Sequence, residues 1–435
     1  MTGATRVIAL YAVMAGLLVL VGLIQSWTVA LAILQLSLIS AIMSLGANIQ
    51  WGYAGLFNAG IMGFAALGGV AGVLVSMSPV PGALAAGGLD LALAILAIVV
   101  TIVLIVVARG RLLPSYRTPV TLLIALLGYL VMRRFLDPAS AAIESATGAQ
   151  GYMGGLGLPI LLSWPVGGLF AAGAAYLVGK VALGLRSDYL AIATLGIAEI
   201  IVAVLKNENW LTRGVKNVTA IPRPVPDQIV LQQQPWVIDL AARFGSDTIT
   251  TAAVVSRLWY AGLFAVVLAL LLWLCERALR SPWGRMMRAI RDNRDAAEAM
   301  GKDVTRRHLR VFVLGSAVVG IAGAMLVTLD SQFTPASYQP LRYTFLIWVM
   351  VIVGGSGNNW GAVLGGFVIW YVWIVAEPLG NWLTANLAAL TSPGGWWDSH
   401  IRAAAPHFRP LLMGVILLLT LRFAPRGLIP EARGR

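Results

Sequence analysis

The sequence predicts an all-α, polytopic membrane protein of about ten to twelve transmembrane or re-entrant helices. Hydrophobic residues make up 59% of the 435 residues and charged residues 11%. Mean hydropathy is +0.83, far above that of a soluble globular chain. Apolar stretches of about 20 residues, the length needed to cross hydrocarbon, recur along the chain. They must be helical, because an open strand edge cannot satisfy its backbone in lipid.

These stretches, bounded by charges, Pro or Gly clusters, fall near 7–25, 28–48, 51–76, 89–108, 118–136, 160–179, 188–206, 257–276, 311–330, 342–357, 360–377 and 408–421. The first 25 residues superficially resemble a signal peptide, with Arg6 before an apolar run. A second apolar run begins at Val29 with no short polar cleavage region between, so the first is read as a retained span. The Gly-rich segments 51–76, 342–357 and 360–377 are candidates for re-entrant rather than spanning helices. Two long connections are placed outside. Residues 207–256 carry Ile221-Pro222-Arg223-Pro224-Val225-Pro226 and read equally as a docking surface or a cover. Residues 378–407 contain Trp382, Trp396 and Trp397, rings suited to a headgroup boundary, and read as an interfacial loop.

The densest charge lies at 277–310, where ten Lys or Arg residues interrupt two apolar runs. With this insert in the cytoplasm, both termini fall on the same side. The inner cations are then Arg6, Arg109, Arg111, Arg117, Lys180, Arg186, the ten of the insert, Arg422, Arg426, Arg433 and Arg435, or 20 of 31. That bias supports the orientation, although Arg133 and Arg134 fall outside. In such a protein a net charge of +13 reflects loop placement and does not imply nucleic-acid binding. The single cysteine, Cys275, excludes an internal disulfide, and three scattered histidines form no metal-binding spacing.

The insert reads as a helix. Ser281 is a cap, Pro282 fits the first helical position, and Arg285 through Met300 contains no breaker. Asp292 and Asp295 lie among Arg288, Arg291 and Arg294 at ion-pair spacing. Ala296, Ala297 and Met300 offer smooth contact area, and Gly301 permits a sharp return. The bland alternative is an ordinary positive loop. Within the membrane, Asn48, Gln50, Tyr53 and Asn58 cluster at a Gly-rich break. Close helix packing or capture of a substrate carboxylate would each account for the cluster. Glu199 is the deepest carboxylate. It is read either with Thr194 along a substrate pathway, near an ammonium, or as sharing a hydrogen bond with a neighbouring helix.

Four stretches together resemble the LivM-type permease of branched-chain amino acid ABC transporters, covering most of residues 45–375. They are Gly52-Tyr53-Ala54-Gly55-Leu56-Phe57-Asn58-Ala59-Gly60, Asp188-Tyr189-Leu190 through Glu199, Ser281-Pro282-Trp283-Gly284-Arg285 through Gly301, and Gly354-Gly355-Ser356-Gly357-Asn358-Asn359-Trp360-Gly361. Asp295-Ala296-Ala297-x3-Gly301 is similar to the EAA loop by which importer permeases engage their ATPases, with Asp in place of Glu. The resemblance marks Ser281, Pro282, Gly284, Arg285, Asp295, Ala296, Ala297 and Gly301 as the ATPase-coupling set. Two departures stand out: Val311-Phe312-Val313-Leu314 replaces an Ile-x-Leu-Pro run, and Thr212–Pro222 replaces a glycine-richer one.

The resemblance implies an ABC-importer permease fold spanning 1–435 in a bacterial inner membrane. It also implies alternating access with a second, LivH-type permease, two cytoplasmic ATPases and an outer substrate-binding protein. No Walker sequence occurs, since Gly354–Gly361 lacks a following Lys-Ser/Thr. No catalytic set, cofactor or metal is therefore expected on this chain, and ATP with magnesium would sit on the partners. A permease for urea or short amides and an ion-coupled secondary transporter are the alternatives.

Overall fold

The computed structural model describes residues 3–148, 150–391 and 394–431. Its helices are α1 (Gly3–Ile24), α2 (Trp27–Ala54), α3 (Ile61–Ser76), α4 (Ala83–Arg111), α5 (Pro114–Thr147), α6 (Ser163–Ala182) and α7 (Ser187–Asn207). Short helices α8 (Asn209–Thr212), α9 (Gln228–Gln232) and α10 (Pro235–Phe244) lead to α11 (Thr248–Arg280). There follow α12 (Pro282–Asp292), α13 (Arg294–Ala299), α14 (Val304–Asp330), α15 (Leu346–Gly354), α16 (Asn359–Ala388), α17 (Trp396–Ala404) and α18 (Phe408–Phe423). Among the described residues, ten helical stretches are long and apolar enough to cross a membrane, and α3 and Leu341–Gly354 are shorter apolar helices. The chain is a multi-pass helical membrane protein. A two-residue antiparallel ladder, Val218 with Phe333 and Thr219 with Gln332, is a small addition to that helical fold.

Several boundaries differ from the sequence reading. α2 runs unbroken through Asn48, Gln50 and Tyr53, and the break comes at 55–60. The polar residues do not end the helix because neighbouring helices satisfy their side chains. α11 begins at Thr248, nine residues earlier than expected, and α16 continues past Pro378 to Ala388. The far connections are correspondingly shorter, at 208–247 and 389–395. The first of these is packed against α11, with Leu231 and Val237 buried against Ala252 and Val255 and Trp236 stacked on Trp259.

One face of the bundle carries α12 and gathers the ends of α2, α11, α15 and α18 with the start of α16. Arg291 of α12 bonds the Gly52 carbonyl, Leu428 donates to Val353, and the α1 Tyr11 hydroxyl donates to the Trp360 carbonyl at 2.8 Å. Arg433 and Arg435 lie outside the described residues. The opposite face carries the ladder, the short helices, and a loop whose Leu156 and Leu158 amides bond Leu74 and Val75.

Small residues set the helix crossings, as expected where lipid provides no hydrophobic drive for association. A Cβ on Gly68 would lie 1.9 Å from the Gly320 carbonyl, and one on Gly323 would lie 2.1 Å from that of Ala65. α3, α6 and α14 therefore approach backbone to backbone. α4 and α5 form a peripheral hairpin joined by contacts such as Gly87 against Ala139 and Ile143. Many of its other apolar side chains, Leu96, Val103, Leu122 and Leu130 among them, are exposed on the bundle surface.

Candidate functional site

Two helix breaks face each other near the α12 face. α2 ends at Gly55 in the left-handed region (φ +67), a stop that only glycine makes cheaply. Buried backbone polar groups freed between 55 and 60 need partners, and side chains meet them. Asn58 accepts from the Gly60 amide at 2.8 Å and donates to Gln50 at 2.8 Å. Gln50 in turn donates to the Phe312 carbonyl and to Ser316, both at 2.9 Å. The Trp348 indole donates to the Asn58 carbonyl at 3.0 Å. The Ala59 amide donates to the Thr194 hydroxyl at 3.1 Å.

The second break, 355–358, separates α15 from α16 through Gly355 (φ +120) and Gly357 (φ +79). Asn358 caps α16 by accepting from the amides of Trp360 and Gly361. Asn48 joins the two breaks: its carbonyl accepts from the Gly357 amide at 2.9 Å, and its amide donates to Tyr53 and to Asn359. The Tyr53 hydroxyl donates to Asn359, whose own amide reaches Glu276 at 3.0 Å. Asn48, Gln50, Tyr53, Asn58 and Asn359 are all 2% exposed or less.

The sequence-derived residues Asn48, Tyr53, Asn58 and Thr194 therefore come together, but their hydrogen-bonding groups are engaged with one another and with backbone. The cluster stitches two broken helices. Glu199 is not with them. It lies five residues beyond Thr194, about 140° around α7, on that helix's exposed face with Ile192 and Ile200. Among the described residues it has no hydrogen-bond or ion-pair partner.

The insert is not the continuous helix expected from 285 to 300. Asn293 adopts an extended conformation (φ −153, ψ 100) and divides it into α12 and α13. The break is a cap: the Asn293 side chain accepts from the Ala296 amide at 3.0 Å. Ser281 stands at the cap position of α12, but its hydroxyl donates back to the Ala278 carbonyl at 2.6 Å and makes no cap bond. Pro282 occupies the first turn of α12. Gly284 is forced by the tight turn out of α11, because a Cβ there would stand 2.3 Å from the Leu279 carbonyl. α12 buries Met287 and Ile290 completely and turns Arg285 and Arg288 into a cavity of about 1050 Å³ shared with Trp51, Arg426 and Glu431. α13 buries no residue: Asp295 and Ala296 are exposed, Ala297 half-buried and Met300 79% exposed. Gly301 (φ +76) makes the return turn, with the Lys302 amide on the Ala297 carbonyl.

Among the described residues, none of the expected i,i+3 or i,i+4 pairs of Asp292 and Asp295 forms. Arg294 pairs with Glu298 at 3.0 Å, while Arg291 takes Asp292 and the distant Glu431. Burial is the largest single influence and works against the Arg291 guanidinium charge, but the Glu431 and Asp292 carboxylates together outweigh it and hold the group above its ordinary pKa. Sequence reasoning missed Glu276, Ser316, Trp348, Glu431 and the role of Asn359. Only Asn359 carried a local signal, in the glycine-rich turn 354–361. Among the described residues, no group of three or more His, Cys, Asp or Glu is placed to hold a metal.

Residues 29–421 match the family model for the branched-chain amino acid transport system permease component. The high-affinity branched-chain amino acid transport system permease protein LivM of Escherichia coli is 27% identical over 281 residues, covering 64% of this chain and 59% of the relative. The probable branched-chain amino acid transport permease protein LivM of Methanocaldococcus jannaschii is 28% identical over 276 residues, covering 63% and 68%. The xylose transport system permease protein XylH of E. coli is 29% identical over 136 residues, covering 29% and 35%. The match thus spans about three fifths of the length of the E. coli LivM relative. No solved structure matches this chain.

Proposed function

The chain belongs to the family of branched-chain amino acid transport system permease components, and from that membership we propose that it is the membrane-spanning subunit of an ATP-driven importer. Its cargo would be branched-chain or other apolar amino acids. It would work with a second permease of the LivH type, two ATPases that carry the ATP and magnesium, and an outer substrate-binding protein, in a bacterial inner membrane with the α12 face in the cytoplasm. The observation that carries this reading is the contrast within the insert. α12 is anchored by Met287 and Ile290, which are buried, whereas α13 offers Asp295, Ala296 and Met300 to solvent. A rooted helix followed by an exposed one suits a motor subunit's grip.

Glu199 supports a pathway between subunits. A carboxylate against hydrocarbon at mid-span costs at least about 2.5 kcal/mol, so the exposed face of α7 calls for a polar neighbour that the described residues of this chain do not supply. The second permease, or the water and substrate between the two, would provide it, and the carboxylate would face an amino acid's ammonium. Urea or short amides, and pentoses by the likeness to the xylose permease, are the competing cargoes of the same architecture.

The test is uptake of labelled leucine into cells expressing the whole system. Uptake should survive collapse of proton and sodium gradients and stop when ATP is depleted. The opposite pattern would identify an ion-coupled carrier and refute the proposal.

A further inference from the structure

One side chain outside the motif-derived coupling set holds three parts of the α12 face together. Arg291 donates through one terminal nitrogen to the carbonyl of Gly52, in the last turn of α2. Its other terminal nitrogen stands 3.0 Å from Glu431, and its Nε stands 3.1 Å from Asp292 on its own helix. The Arg291 and Glu431 side chains retain 22% and 27% of their exposure, so water screens this pair less than two other pairs of the insert. Those pairs, Arg294 with Glu298 and Arg306 with Asp303, are at least 47% exposed at each end and only three or four residues apart, so they join nothing distant.

Glu431 lies on a strap that follows α18 and is itself fixed to the second break. The Leu428 and Ile429 amides donate to the carbonyls of Val353 and Gly354, both at 2.8 Å. The Asn358 side chain donates to the Pro430 carbonyl at 3.1 Å. Bare glycines make this seat possible. A Cβ on Gly427 would stand 2.3 Å from the Gly355 Cα, and one on Gly357 would stand 2.8 Å from the Glu431 carboxylate and 3.1 Å from the Arg291 guanidinium. Asn48 closes the circuit by accepting from Gly357.

We propose that Arg291 and Glu431 form a pin that carries displacement of α12 into both helix breaks, 55–60 and 355–358, and the helix ends beside them, so that Arg291 is a positioning residue for energy coupling. This rests on the reading of the insert as the ATPase grip. The chemistry favours arginine. A planar fork fixed at three acceptors resists sliding as well as separation, which a lysine ammonium on a flexible stem does not. When α12 moves, the Gly52 carbonyl and the strap move with it, and the strap draws residues 353 and 354 through two backbone hydrogen bonds.

Two measurements on Glu431→Gln and Arg291→Lys test the pin. In the purified chain in lipid nanodiscs, backbone hydrogen exchange at 52–60 and 354–359 should quicken about tenfold in each variant, as loss of a charge-assisted bond implies, while the α4–α5 hairpin exchanges as before. In the assembled transporter the ATPases should remain bound, while leucine carried per ATP hydrolysed falls about tenfold. Wild-type exchange at both breaks, or wild-type leucine per ATP in a variant that keeps its ATPases, would overturn the pin. If the wild-type chain recruits no ATPase, the importer reading fails instead, and the exchange measurement still decides whether Arg291 ties the breaks together.

Discussion

Replacing Asn359 with leucine removes the hub at which the two helix breaks meet while keeping the side chain's approximate volume. The Tyr53 hydroxyl loses its acceptor, Asn48 loses one of two partners for its amide, and Glu276 loses the donor 3.0 Å away. Tyr53 is 2% exposed, so water cannot replace the bond, and a buried orphan of this kind costs about 1–3 kcal/mol. The carboxylate's lost charge-assisted bond adds about 1.5 kcal/mol after allowance for its partial exposure. The total, about 2.5–4.5 kcal/mol, corresponds to local opening of the 354–361 turn two to three orders of magnitude more often. Hydrogen exchange of the Gly357 amide and its neighbours in nanodiscs reads that opening directly. Ser37→Ala is the control. Its hydroxyl is buried without a hydrogen-bond partner, so its removal should change exchange by less than about a factor of three. If Asn359→Leu exchanges like wild type at 354–361, the buried cluster does not hold the breaks and the packing account is wrong.

Other changes probe separate parts of the structure. Gly68→Ala drives a methyl to 1.9 Å from the Gly320 carbonyl and should cost about 3 kcal/mol, the upper end of the usual overpacking range, read as lost folded yield in detergent; normal yield would refute the close crossing of α3 and α14. Ala296→Asp with Ala297→Asp should abolish ATPase co-purification, because both lie on the unburied α13, while leaving the chain's elution on gel filtration unchanged; undiminished recovery of the ATPases would remove α13 from the grip. Glu199→Gln should reduce leucine uptake at least tenfold with the complex intact, and full uptake would return Glu199 to a surface role.

Much of the bundle was legible because its signal is local. A run of about 20 apolar residues reports its own burial in lipid, and the twelve expected stretches correspond to the ten long helical stretches and two short ones. The helix ends were less legible, since Asn48, Gln50 and Tyr53 resemble a loop until their partners on α14 and α16 are known. Those partners lie 262 to 311 residues away. The break at Asn293 had a readable sign, an asparagine three residues before the Ala296 amide that it caps, but the uninterrupted run of helix formers on either side outweighed it. Glu199 was correctly placed within a span, yet which way it faces depends on the rotation of α7, fixed by Thr194 and Ala198 packing on Gly60 and Gly63. The Arg291–Glu431 pair joins residues 140 positions apart, and no spacing rule reaches that far.

The most direct measurement reconstitutes the purified chain in liposomes, alone and then with the second permease, the two ATPases, the binding protein and ATP. Leucine should equilibrate at most with the chain alone and accumulate against its gradient only in the full system. Accumulation by the chain alone, driven by an imposed proton or sodium gradient, would contradict the view that this protein moves cargo only when its α12 face is worked by partners.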